Sequence, residues 1–192
     1  RVHDERLGVR PERRLDVGGI SRSFLAYIPR RLSDPLPVIL VLHGSAGSAE
    51  RMRSATAWAF EQLADREGAV VVYPEGFEGH WNDCRKEGDF AAQRLGIDDV
   101  AYLRAVVARL SGDPALGARQ IAAEEVFAAG LSNGGHMALR LALEAPDFVA
   151  GVAAIAASLP VESNSECTPS GQAVPVLLLN GDADPISPYE GG

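Results

Sequence analysis

The stretch Val126-Phe127-Ala128-Ala129-Gly130-Leu131-Ser132-Asn133-Gly134-Gly135-His136-Met137-Ala138-Leu139 decides the fold. Its first four residues form a continuous apolar run, the signature of a strand buried on both faces. Residues 134–143 instead carry apolar side chains at the helical period. Between the two lies Gly130-Leu131-Ser132-Asn133-Gly134, a G-x-S-x-G at a strand-to-helix junction. Such a turn needs glycine at both flanks, because its backbone is strained and passes close to its neighbours. It leaves the Ser132 hydroxyl exposed at a helix N-terminus, where free N–H groups and the helix dipole favour developing negative charge. Ser132 is therefore the candidate nucleophile, and the competing reading is an ordinary helix-capping serine.

Outward from this junction the same alternation recurs. Apolar runs at 38–42, 69–73, 152–156 and 174–179 read as strands, and 51–66 and 98–110 read as helices rich in Ala, Leu and Arg. Strands alternating with helices imply a parallel sheet covered on both faces, an α/β three-layer sandwich. Residues 14–17 and 22–28 alternate apolar and polar across Gly18-Gly19, which predicts an antiparallel hairpin at the start of that sheet. Residues 160–172, rich in Ser, Asn, Pro, Thr and Gly, predict a surface loop. With no internal repeat or low-complexity linker, residues 1–192 read as one domain, short for its class.

Two further segments sit where a serine nucleophile needs help. His43-Gly44-Ser45-Ala46-Gly47 follows the run 38–42. On such a scaffold the loop after this strand donates one oxyanion N–H and the residue after the nucleophile the other, which makes Ser45 and Asn133 the candidates. The alternative is that these glycines only end a strand, and His43 reads as a structural hydrogen bonder. Asn180-Gly181-Asp182-Ala183-Asp184-Pro185 follows the run 174–179. Asp184, ahead of Asp182, is the candidate carboxylate that orients a catalytic histidine; the alternative is a turn aspartate before proline. Trp81, beside polar residues, is a candidate for lining the acyl pocket, against simple packing. Asp98-Asp99 reads chiefly as helix N-terminal carboxylates.

The ordered set Val41-Leu42-His43-Gly44, Val72-Tyr73-Pro74-Glu75-Gly76, Trp81-Asn82-Asp83, Ile97-Asp98-Asp99-Val100, Gly130-Leu131-Ser132-Asn133-Gly134-Gly135 and Asp184-Pro185-Ile186-Ser187-Pro188-Tyr189 resembles the polyhydroxybutyrate depolymerase and feruloyl esterase-like branch of the α/β-hydrolases. The resemblance runs along nearly the whole chain. It implies Ser132 as nucleophile and Asp184 as triad acid. It also implies a secreted or periplasmic serine esterase without metal or cofactor, acting on aryl or feruloyl, acetyl, short-chain or polyhydroxyalkanoate esters. The departure is the histidine. In that family it lies well downstream of the acid, whereas the histidines here are His3, His43, His80 and His136. His136, one helical turn after Ser132, reads as packed, and His80 as a poor substitute base. The expectation is an incomplete domain: a last strand and helix carrying the histidine are missing beyond Gly191-Gly192, and a complementing C-terminal segment is required.

Composition limits the alternatives. A net charge of -8 argues against phosphate-backbone binding, so nucleic acid is not an expected partner. No apolar run approaches the ~20 residues of a membrane span, and the first twenty residues are too charged for a signal-peptide core. Cys84 and Cys167 are too few for a zinc framework; a disulfide and two free thiols both remain open. Against the esterase stand a hydrolase-fold binding protein that has lost catalysis, and a peptidase on the same fold.

Overall fold

The computed structural model describes residues 12–187 and Tyr189, so His3 and Gly191-Gly192 lie outside the described residues. One sheet runs through them in the order β1-β2-β4-β3-β5-β6-β7. β1 (Arg13–Val17) and β2 (Ile20–Tyr27) form the expected hairpin, paired Val17 to Ile20 and Arg13 to Phe24. Its two-residue turn takes Gly18 and Gly19 to φ values of 59° and 81°, the left-handed region that glycine reaches without a Cβ penalty. β2 runs antiparallel to β4 (Val70–Pro74). β3 (Val38–Leu42), β4, β5 (Val126–Leu131), β6 (Gly151–Ile155) and β7 (Val176–Leu179) are mutually parallel. β3 lies at the centre, which is why its sequence is an unbroken apolar run.

Alternate residues of the strands feed two helical layers. On one face Val38, Leu40, Leu42, Ala128 and Val152 meet Tyr102, Leu103 and Val106 together with Met137 and Leu141. On the other, Val41, Val71 and Tyr73 meet Ala49, Met52 and Ala64. The second set comes from α1 (Ala49–Ala55) and α2 (Ala59–Glu67). After the short α3 (Ala91–Arg94), the first set comes from α4 (Asp99–Leu110) and α5 (Asn133–Glu144). Right-handed crossovers impose this division, since the chain steps one way from β3 to β4 and the other way from β4 to β5 and β6. Each large side chain buried here contributes about 1.5–3 kcal/mol.

The single helix expected over 51–66 is two. It breaks at residues 56–58, with Ala57 and Trp58 at φ 49° and 57°. The Thr56 hydroxyl donates back to the Met52 and Arg53 carbonyls at 3.1 and 3.0 Å, a local bond that competes with the helical ladder. Arg53 spans the break, bound to Glu50 at 2.8 Å and to buried Glu61 at 2.6 Å.

Cys84 and Cys167 form a disulfide across 83 residues, the arrangement that the sequence left open. Closing a loop of that length is worth about 4–5 kcal/mol in the chain-entropy account. The bridge ties the 160–172 loop to the segment after Trp81, helped by the Lys86 N–H on Asn164 O and the Glu166 N–H on Cys84 O. At the far edge β7 is exposed along its whole length, Leu177 to 55%. An open apolar trough of about 620 Å³ runs beside it, floored by Phe127, Gly151 and Ala153 and walled by Leu63 of α2. Among the described residues no helix is long and apolar enough to cross a membrane.

Candidate active site

Ser132 sits at the sharp turn from β5 into α5 with φ 53° and ψ -120°, a conformation that costs a non-glycine residue on the order of 1–3 kcal/mol. The surrounding glycines are dictated by contact. A Cβ on Gly130 would lie 2.0 Å from the Gly134 oxygen; on Gly134, 2.4 Å from the Leu42 oxygen and 2.5 Å from that of His43; on Gly135, 2.8 Å from the Ala157 Cβ. Strand β3, the elbow and the end of β6 thus approach as closely as backbones can. The Ser132 N–H donates to Ile155 O at 2.8 Å, and its carbonyl accepts the His136 N–H at 2.9 Å, which starts the helix. Its hydroxyl makes no capping bond. A capping serine would spend that hydroxyl on the helix end; here it is left for other chemistry.

The loop after β3 lies against this serine: a Cβ on Gly44 would come 3.5 Å from the Ser132 Cβ. Its shape is set from behind by His43, whose Nδ1 lies 2.8 Å from Gly44 O and whose Nε2 accepts the Gly76 N–H at 2.9 Å. Because Nε2 must accept, the proton belongs on Nδ1, and neither nitrogen is left to act as a base. The Trp81 indole N–H donates to His43 O at 2.8 Å, and Glu75 accepts the Ala49 N–H at 2.9 Å where α1 begins. Ser45 is exposed at the loop tip. Asn133 is the first residue of α5, so its backbone N–H has no acceptor within the helix. Its side chain is buried, accepting the Trp81 N–H at 2.8 Å and donating to Trp81 O at 3.0 Å and to Asp83 at 2.6 Å.

Burial pushes the His43 imidazole below its ordinary pKa, against the opposing pull of its bond to Gly44. A group lowered in this way leaves stability whole above the ordinary value of about 6.5 and erodes it as pH falls towards the folded value. Glu75, with Oε2 3.7 Å from the same ring, is raised by burial and works the other way in mild acid. The expected result is a neutral Nδ1–H tautomer that persists below pH 6.5, read directly from the ¹⁵N shifts and titration midpoint of His43.

Asp184 lies in the loop after β7 and accepts the N–H groups of Ile186 and Ser187 at 2.8 and 3.0 Å. Those two bonds hold its carboxyl below the usual carboxylate range. The loop is tied back by the Ser187 hydroxyl on Ala156 O at 3.2 Å. β5 and β7 end on the same edge of the sheet with β6 between them, which separates the serine elbow from the Asp184 loop by about 10 Å at the usual strand spacing. Asp182 is exposed beside it. Among the described residues no histidine side chain is hydrogen-bonded to Ser132 or Asp184: His43 is engaged as above, and His80 bonds Glu78 O at 2.9 Å and stacks on Phe90. His136 lies buried one turn along α5.

Trp81 requires a correction. It is fully buried, with its ring 5.1 Å from that of His43. Its indole N–H and backbone are spent on His43 and Asn133, so it braces the Gly44 loop from behind and presents no exposed face to a substrate. Asp98 does cap α4, accepting the Ala101 N–H at 2.9 Å. Asp99 stands in the first turn of α4 as read and has a second role: it is buried, pairs with Arg22 at 2.7 Å and accepts the Asn82 N–H at 2.7 Å. Sequence reasoning missed Asp83, Glu75 and Asp99 as the carboxylates that brace this site. The signal was the run Trp81-Asn82-Asp83, but the partners Asn133 and Arg22 are distant in sequence. The one grouping of potential metal ligands among the described residues, Cys84, Glu144 and Cys167, is taken up by the disulfide.

Comparison with known proteins gives the same picture. Residues 101–192 match the phospholipase/carboxylesterase family. NocK of Nocardia uniformis subsp. tsuyamanensis, named as an esterase, is 40% identical over 160 residues, 83% of this chain and 43% of that protein. Feruloyl esterase B of Piromyces equi is 27% identical over 158 residues, 81% of this chain and 27% of that one. The chain thus spans less than half the length of these relatives. Among solved structures, native pOPH superposes with a TM-score of 0.64 at 18% identity, over 92% of this chain and 69% of that one. A thermostable esterase superposes at 0.62 and 18%, over 94% and 48%; at such identity the likeness concerns the fold. With this sheet and this elbow the chain has the α/β-hydrolase fold, and along most of its length it is similar to proteins named as esterases.

Proposed function

We propose that the chain carries the nucleophile, oxyanion hole and acid of a serine carboxylic ester hydrolase. One observation carries this reading: Ser132 is held at a left-handed elbow with its hydroxyl uncapped, against the Gly44 loop. Ser132 Oγ attacks the acyl carbon while a histidine takes its proton, and the carbonyl electrons move onto oxygen, where the N–H groups of Asn133 and Ser45 hold them. The alcohol leaves with the proton returned by the histidine, and water, deprotonated by the same ring, then cleaves the acyl-serine. Asp184, kept ionised by its two N–H donors, orients the imidazole and offsets its charge.

The histidine comes from outside the described residues, on a complementing segment seated beside β7. The exposed strand Val176–Leu179 and the trough next to it support that placement. The name of the Piromyces equi relative supports a feruloyl ester as substrate, and the sequence motifs extend this to other aryl, acetyl, short-chain and polyhydroxyalkanoate esters. The disulfide favours a secreted or periplasmic setting. The test is hydrolysis of 4-nitrophenyl acetate and butyrate against the matching 4-nitroanilides by the natural full-length protein. Esters are expected to be cleaved with kcat/KM higher by about 10³ or more. Equal rates on anilides mean a peptidase, and no cleavage of either means a binding protein on this fold.

A further inference from the structure

A cavity of about 90 Å³ lies one helical turn from the nucleophile, lined among others by Arg85, His136, Ser158 and Ser187. His136 follows Ser132 by four residues, about 6 Å along α5. Its N–H bonds Ser132 O, and helical side chains lean back over the preceding turn. Ser158 belongs to the loop after β6 and Ser187 to that after β7, three residues beyond Asp184. The cavity therefore shares the sheet edge where Ser132 and Asp184 sit.

Its polar groups are specific. His136 is only 8% exposed, and its Nδ1 is buried without a hydrogen-bond partner among the described residues. Burial lowers its pKa and the ring hydrogen-bonds the Ser158 backbone. A neutral ring that gives its one N–H to that backbone leaves Nδ1 as an acceptor. Arg85 binds Asp83 through Nε and Nη2, at 3.0 and 2.6 Å. That leaves Nη1 as a donor while the carboxylate offsets the charge. His136 and the Arg85–Asp83 pair thus offer one acceptor and one donor with no net charge, beside the neutral side chains of Ser158, Asn164 and Ser187. An anion would meet the Nδ1 lone pair and Asp83; a cation would meet the guanidinium. A hydroxyl fits both, donating to Nδ1 and accepting from Nη1. At about 30 Å³ per water-sized group, the space holds a hydroxyl and its carbon but no ring.

We propose that this cavity is a subsite for a hydroxyl group of the ester substrate, with His136 and Arg85 determining specificity for hydroxylated esters. The proposal rests on the ester-hydrolase reading above. A site built to hydrogen-bond a hydroxyl disfavours the analogue that lacks it, and because the subsite is fixed relative to Ser132 it reads one hydroxyl position.

The test compares kcat/KM of the natural full-length protein on methyl esters of ω-hydroxyalkanoic acids of three to six carbons with their unsubstituted counterparts. A second arm compares hydroxyalkyl with alkyl acetates, which tells whether the acyl or the alcohol side carries the hydroxyl. The expected result is a preference of about tenfold or more at one chain length in one arm. His136→Phe, which keeps a ring and removes the acceptor, brings that ratio to about one, and Arg85→Met, which removes the donor, lowers it about threefold. A flat ratio with plain esters cleaved overturns the subsite and leaves the esterase reading standing. So does a preference that survives both substitutions. If no ester in either arm is cleaved and a fluorophosphonate leaves Ser132 unlabelled, both readings fall.

Discussion

Replacing Ser132 with Ala lowers kcat for ester hydrolysis by about 10⁴–10⁶-fold, the usual cost of removing the nucleophile of an acyl-transfer triad. It leaves the thermal midpoint unchanged to within about 2 °C. The second half of this expectation separates a nucleophile from a capping serine. A capping hydroxyl supports the first turn of its helix, and its loss costs about 1 kcal/mol, or roughly 2–4 °C in a domain of this size. The Ser132 hydroxyl makes no such bond, so deleting it removes chemistry and no helix support. Initial rates on an aryl ester and a melting curve from one purified pair of proteins check both halves. A variant that melts several degrees lower and keeps its rate would return Ser132 to the role of a cap.

Gly134→Ala is the substitution with the largest expected structural effect. Its Cβ would fall 2.4 Å from Leu42 O and 2.5 Å from His43 O. Both obstacles are backbone, so no rotamer change relieves the contact, and either α5 or the end of β3 must move. Overpacking of this kind costs about 1–3 kcal/mol, occasionally more, and the upper end is expected here, a fall of about 6–12 °C at the usual scaling. Because α5 carries Ser132 and Asn133 while β3 leads into the Gly44 loop, any relief separates the proposed nucleophile from the proposed oxyanion donors. The variant should therefore lose activity even at temperatures where it is fully folded, by on the order of 10²-fold for a displacement near 1 Å. Circular dichroism melts and rates at 15 °C measure the two losses independently.

These expectations trace to features of unequal visibility in the sequence. The elbow was legible because its requirements are local: apolar strand, glycines at fixed offsets, helical run. The hairpin was legible for the same reason, through Gly18-Gly19. The break in the first helix was not, since Thr56 looks unremarkable until its hydroxyl is seen bonding Met52 and Arg53. Trp81 misled because tryptophan beside polar residues reads equally as a pocket wall and as a buried donor. Only the position of His43 O, 38 residues away, decides between them. The second role of Asp99 was hidden for a related reason, its partner Arg22 being 77 residues distant. Carboxylates that brace an active site from behind show no spacing rule, because their partners are set by how strands stack in the sheet. The disulfide belongs to the same class: the cysteine count permits it, but only the approach of the 160–172 loop to Cys84 makes it.

The central claim is that Ser132 is an activatable nucleophile in an esterase site. Its most direct test is to incubate the natural full-length protein with a fluorophosphonate and locate the adduct by peptide mass spectrometry. The account predicts one phosphonylated residue, Ser132, labelling that fades as pH falls through the titration of the catalytic histidine, and no adduct in Ser132→Ala. A protein that stays unlabelled at neutral pH, or takes its adduct on another serine, would contradict it.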